Sequence, residues 1–340
     1  MSSKCPDTRF RCAAIGLALT MVLGLAGAAT PAAQELAATV AAASDADAAE
    51  RRARNDRRAD EPGTGPYPAI KEQIPALPRH VVYRPANLAA LGAQKLGVMV
   101  WGNGACSEDG ASSRFHLLEV ASHGYLVLAL GRIYSGPGAP PPQARPDPDA
   151  PPSGRTLPSD FLDAITWALA ENQRPGSPFQ GRIDPAQVAV SGFSCGGLQA
   201  LAIAGDPRVK AVVLHNTGVP IELIDVPGMD VGKEVLEALH TPVIYILGGE
   251  PDIAYGNGMD DFRRIRQVPV AVANLPVGHG GTFDEPNGGS AARGATAWLN
   301  WQLRGDAAAA SLFTGADCGL CKDNSWTLQW RNVNAAPSRP

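Results

Sequence analysis

The sequence predicts an α/β protein, a mainly parallel central sheet with helices on both faces. Three observations carry that expectation. Short apolar runs alternate with segments of helical spacing between about residues 80 and 305. The runs "LGVMV", "AVVL" and "PVIYIL" are continuously apolar rather than alternating, as strands covered on both faces are. The chain has 340 residues and 45% hydrophobic content, enough for one large domain plus tails.

The elements follow in order. "HVVYRPANL" (His80 to Leu88) reads as an early strand, and "LGVMV" (Leu96 to Val100) as a buried one that runs into the Gly-rich loop "WGNGACSEDG". Ser113 to Ala121 has helical spacing, and "ASHGYLVLAL" returns to a strand after the turn at His123 and Gly124. The stretch 135–158 is too proline-rich for helix or central strand and is expected to be a long loop. "SDFLDAITWALAEN" is a helix with Ser159 as its expected cap and Phe161, Leu162, Ile165 and Leu169 on its apolar face. "AQVAV" is a strand, Gly197 to Ala204 a helix, "VKAVVLH" a strand, "GKEVLEAL" a helix, "PVIYILGG" a strand and "MDDFRRI" a short helix. "VPVAVANL" is expected to be the last strand and "SAARGATAWLNWQLRG" the closing helix.

Composition excludes some partners. A net charge of −4 gives no basis for binding nucleic acid or an anionic membrane surface. The N-terminus reads as a secretory signal over 1–29: Lys4, Arg9 and Arg11 precede an apolar run from Cys12 to Ala29, with small residues at Ala26 to Ala28. An uncleaved anchor is the rival reading, since the run approaches the spanning length of roughly 17–25 residues. No stable membrane anchor is expected. Residues 30–66, Ala-rich and then charged, read as a disordered linker. The expected organisation is therefore a signal at 1–29, a linker at 30–66, a domain at 67–312 and a tail at 313–340.

One motif carries chemistry. In "VAVSGFSCGG" a strand runs into Gly192, Phe193, Ser194, Cys195 and Gly196, a G-x-S-x-G pattern at a strand-to-helix junction. A sharp turn there lifts the serine hydroxyl clear of the backbone, and the glycines permit the crowding. A hydroxyl needs a base to become a nucleophile. His279, in the glycine-rich loop "LPVGHGGTF" after the last expected strand, is the preferred base, with His215 at the end of a strand as the alternative. The carboxylate that orients it is sought in "PVIYILGGEPDIAYG", where Asp252 is preferred over Glu250. Backbone N–H groups of Cys195 and Asn103 are the expected oxyanion donors. G-x-G-x-x-G and G-K-[ST] patterns are absent and no zinc-ligand spacing is present, so no cofactor and no metal are expected.

Together these residues resemble the α/β-hydrolase superfamily. The nearest likeness is to its lid-poor secreted branch of cutinase-like, polyhydroxyalkanoate depolymerase-like and dienelactone-hydrolase-like proteins. The similarity covers about residues 80 to 315, through "LGVMVWGNGA", "ASHGYLVLAL", "VAVSGFSCGG", "PVIYILGGEPDIAY", "GHGG" and "TAWLNWQLRGD". It implies an α/β-hydrolase fold with little or no lid. It also implies a secreted or periplasmic serine hydrolase that cleaves small or polymeric carboxylic esters through an acyl-enzyme, with Ser194, His279 and Asp252 as its triad. An acyltransferase or peptidase on the same triad, or a non-catalytic binding protein of this fold, are the alternatives. Polyester hydrolases of the branch place an aromatic where this chain has Asn103 and a tryptophan after the strand ending at His215. Both are missing, so an aromatic polyester is not expected.

The resemblance also brings the elbow and the oxyanion loop together, which implies a Cys106–Cys195 disulfide. An exported chain meets an oxidising compartment, and the even number of cysteines beyond the apolar run points to pairing. "CGLC" is then expected to close as a local Cys318–Cys321 disulfide, with the aromatic tail "WTLQW" packed on the domain.

Overall fold

The computed structural model describes residue 50 and residues 53–141, 155–221 and 231–332. The expected signal at 1–29, most of the first half of the linker, the centre of the Pro-rich loop and the end of the tail lie outside the described residues.

Among the described residues nine strands form one sheet in the order β1-β2-β4-β3-β5-β6-β7-β8-β9. They are β1 (Ala69–Glu72), β2 (His80–Pro85), β3 (Leu96–Gly102), β4 (Tyr125–Leu130), β5 (Ile183–Phe193), β6 (Ala211–His215), β7 (Val243–Leu247), β8 (Val270–Asn274) and β9 (Thr327–Arg331). The pairs from β4 through β3, β5, β6 and β7 to β8 are all parallel. The outer pairs β1–β2, β2–β4 and β8–β9 are antiparallel. The mainly parallel sheet is therefore as the alternation predicted. Residues 53–57 are helical, and the further helices among the described residues are α1 (Arg114–Ser122), α2 (Pro158–Gln173), α3 (Cys195–Ile203), α4 (Tyr255–Arg264), α5 (Gly289–Arg304) and the short α6 (Ala307–Ala310) and α7 (Gly319–Lys322).

Alternate residues of the central strands feed two cores, one on each face. Val98 and Val100 pack with Phe161 and Ile165 of α2, Leu198 and Leu201 of α3 and Phe262 of α4. Met99 and Trp101 point the other way, into a core with Leu117 and Leu118 of α1 and Trp298 and Leu299 of α5. Each aliphatic side chain buried this completely contributes about 1.5–3 kcal/mol. Two buried faces explain why these strands carry no polar alternation. Among the described residues no helix is long and apolar enough to cross a membrane.

Four expectations need correction. The second half of the linker is part of the domain: Thr64 bonds Glu119, and Gly65 bonds the Ser122 hydroxyl. Asp60 pairs with both Arg114 and Lys71, whose side chains are 2% and 3% exposed. The charged composition of this arm suits buried cations rather than solvent. The boundary at 312 also fails, because the "WTLQW" segment forms β9 and pairs antiparallel with β8, which is therefore not the last strand. The packing expected of that tail thus takes the form of a sheet edge. Helix α2 begins on Leu157 rather than Ser159; Pro158 fills the first helical position and the Asp160 carboxylate accepts the Leu157 N–H. Lys233–Ala238 is a 3₁₀ turn, not an α-helix.

Candidate active site

The parallel strands end their carboxyl edges together, and the singled-out residues lie on the loops that leave that edge. Ser194 follows β5 and caps α3 with φ +52° and ψ −120°. A non-glycine residue there is strained, a conformation that persists only where its surroundings enforce it. They do so here: Ser194 N–H donates to the His215 carbonyl at 3.0 Å, and its own carbonyl accepts Gly197 N–H at 2.9 Å and the Thr217 hydroxyl at 2.8 Å. Gly196 is required by proximity. A Cβ on it would run into the Gly102 carbonyl and come within 2.6 Å of the Asn103 amide nitrogen.

Three side chains from three loops form a relay. His279 Nε2 lies 3.0 Å from Ser194 Oγ, and His279 Nδ1 lies 2.6 Å from Asp252 Oδ1. An ionised carboxylate only accepts, so Nδ1 carries the proton and Nε2 of the neutral ring faces the hydroxyl as acceptor. Asp252 is fully enclosed while His279 is 29% exposed, so the relay runs from the interior to an open imidazole. Burial alone would raise the Asp252 carboxyl. Hydrogen bonds from His279, Ala254 N–H, Gly248 N–H and Asn216 outweigh it and hold the group below its ordinary range. Gly278, at φ +77°, turns the backbone just ahead of His279, and its N–H donates to the Gly248 carbonyl at 2.8 Å. Phe193 packs on the imidazole with ring centroids 5.2 Å apart.

The alternatives fall elsewhere. The imidazole of His215 points away, fully buried among Trp101, His116 and Phe283. It is T-shaped against His116, 4.8 Å between centroids, and neither ring has a hydrogen-bond partner among the described residues. Burial pushes His116 down to about 3 and His215 well below its ordinary value. Glu250 is exposed, while Asp252 takes the inward position.

The backbone amide of Asn103 sits against Gly196, and Cys195 is the first residue of α3, whose opening amides have no partner within the helix. The Asn103 side chain is turned into the protein, where Nδ2 donates to the carbonyls of Ser107 (2.9 Å) and Leu130 (2.7 Å). A disulfide joins Cys106 to Cys195 with Cα atoms 5.2 Å apart, tying this loop to the elbow. Thr156 N–H and its hydroxyl both donate to the Cys106 carbonyl, at 3.0 and 3.1 Å. Cys318 and Cys321 form the second disulfide. Among the described residues no cluster of three or more His, Cys, Asp or Glu side chains is arranged to hold a metal ion.

The sequence reading overlooked Asn216 and Thr217, which bond the Asp252 carboxylate and the Ser194 carbonyl. The available signal was a polar pair directly after a fully buried strand. No family model and no curated protein matches the chain.

Proposed function

We propose that the chain is a serine hydrolase of the α/β-hydrolase type that cleaves carboxylic esters through an acyl-enzyme. The observation that carries this reading is the continuous Asp252–His279–Ser194 relay, with the hydroxyl on a strained turn beside the Asn103 and Cys195 amides.

In this mechanism Ser194 Oγ attacks the ester carbonyl as its proton passes to His279 Nε2. Asp252 stabilises the imidazolium and fixes its tautomer. The new oxyanion is held by the N–H groups of Asn103 and Cys195; one such donor typically lowers the barrier by about 2.7–4 kcal/mol. The tetrahedral adduct collapses as His279 returns the proton to the leaving alkoxide. Water, deprotonated by the same imidazole, then releases the acid and restores Ser194. Each step uses groups of this chain, with no cofactor. The inward-turned Asn103 side chain leaves no ring at the oxyanion position to clamp an aromatic substrate. The disulfides fit an exported protein.

The test is turnover of short-chain p-nitrophenyl esters by purified protein, run beside a peptide panel and an alcohol acceptor. Ester hydrolysis without peptide cleavage is expected. Peptide cleavage, or acyl transfer to the alcohol in place of hydrolysis, would reassign the reaction; inertness on all three would remove the enzymatic reading.

A further inference from the structure

The carboxyl end of β6 carries a polar pair, Asn216–Thr217, outside the triad. Asn216 N–H extends the β6–β7 ladder onto the Ile246 carbonyl at 2.9 Å. The chain then bends at φ +46°, a region asparagine tolerates better than most residues. The bend turns the side chain inward. Asn216 Nδ2 donates to Asp252 Oδ2 at 3.0 Å and to the Gly278 carbonyl at 3.0 Å, the residue just before His279. Thr217 donates its hydroxyl to the Ser194 carbonyl at 2.8 Å. One dipeptide thus reaches the acid, the histidine loop and the elbow.

We infer that Asn216, braced by Thr217, is the positioning residue of this centre, fixing the Asp252 carboxylate and the His279 loop in mutual register; this rests on the serine-hydrolase reading above. Oδ1 of Asp252 serves His279 and Ala254 N–H, while Oδ2 serves Gly248 N–H and Asn216. Removing the amide leaves Oδ2 with the Gly248 N–H and lets the carboxylate turn about its terminal torsion. It also cuts a side-chain tie between the acid and histidine loops. The amide further draws charge from the carboxylate. Without it, more of that charge falls on His279, the imidazolium is stabilised, and the acid limb of the rate profile moves to higher pH.

The experiment uses the full chain with p-nitrophenyl acetate, comparing wild type, Asn216→Gly and Asn216→Asp. Glycine accepts the positive φ, so the first variant removes the side chain without backbone strain. Aspartate keeps the shape but sets a second carboxylate oxygen where the amide stood, 3.0 Å from Asp252 Oδ2. Asn216→Gly is expected to lose about 30-fold in kcat/KM, the effect of one hydrogen bond to a charged group, carried by kcat. Its acid limb rises, and its low-field Nδ1 proton resonance shifts or broadens. Asn216→Asp loses more, because repulsion adds to the missing donor. Wild-type kcat and acid limb in the glycine variant overturn the positioning role, as does a loss of kcat with both the acid limb and the Nδ1 resonance unmoved. If the glycine variant does not fold, the isosteric aspartate variant is judged by the same criteria. A wild type that neither turns over ester nor reacts with a fluorophosphonate overturns the serine-hydrolase reading and this role with it. A reactive wild type beside an unperturbed glycine variant overturns the positioning role alone.

Discussion

Replacing both Cys106 and Cys195 with alanine opens a loop closed across 89 residues. The chain-entropy relation for a loop of that size gives a stabilisation of about 4.6 kcal/mol, against about 1.6 kcal/mol for the Cys318–Cys321 loop, whose ends are 3 residues apart. Alanine keeps the Cβ, so the positive φ of 51° at Cys106 costs the same before and after. The difference therefore reports the cross-link rather than backbone strain. The assay is urea unfolding of wild type, Cys106→Ala/Cys195→Ala and Cys318→Ala/Cys321→Ala at neutral pH. The first pair should lose more than twice what the second loses. It should also lose kcat, because the Asn103 and Cys195 amides are then aligned by packing alone. A loss below about 1 kcal/mol with kcat unchanged would refute the reasoning, since the tie would then add neither chain constraint nor alignment.

Other expectations follow from buried groups and crowded turns. Unfolded, His116 binds a proton near pH 6.5; folded, burial holds it down to about 3, so its contribution is intact above pH 6.5 and falls as pH drops toward 3. By pH 4.5 the loss is about 3 kcal/mol, and His116→Phe should flatten the fall in urea stability between pH 7 and 4.5. Asp60→Ala leaves the buried Arg114 and Lys71 without their shared carboxylate and should cost about 3 kcal/mol in the same assay. Gly196→Ala forces a Cβ into the Gly102 carbonyl and should abolish ester turnover or prevent folding. Gly256→Ala, on α4 with open space around it, should instead raise stability by about 0.5–1 kcal/mol.

What the sequence disclosed tracks burial. The central strands, closed on both faces, each carry an apolar run ("LGVMV", "VAV", "AVVL", "VIYIL", "VAVA") and were readable in order. The edge strands were not. β1 exposes Ile70, half-exposes Glu72 and turns the Lys71 side chain inward onto Asp60, and no residue of β9 is fully buried, so neither carries a hydrophobic signature. The arm at 53–66 misled because its charges look solvated, whereas Asp60 and Thr64 meet Arg114, Lys71 and Glu119, partners that no local pattern reveals. At the site, Ser194, Asp252 and His279 were legible because each stands in a loop with its own glycine or strand-end signature. Asn216 was not, since its role depends on a positive φ and on two loops distant in sequence.

The most direct test of the central claim is intact-mass and peptide-mapped labelling with a fluorophosphonate. If Ser194 is the nucleophile driven by His279, wild type takes one adduct per chain on the peptide that holds Ser194. Ser194→Ala takes none, and His279→Ala labels orders of magnitude more slowly. An unlabelled wild type, or a Ser194→Ala variant that labels equally, would contradict the assignment.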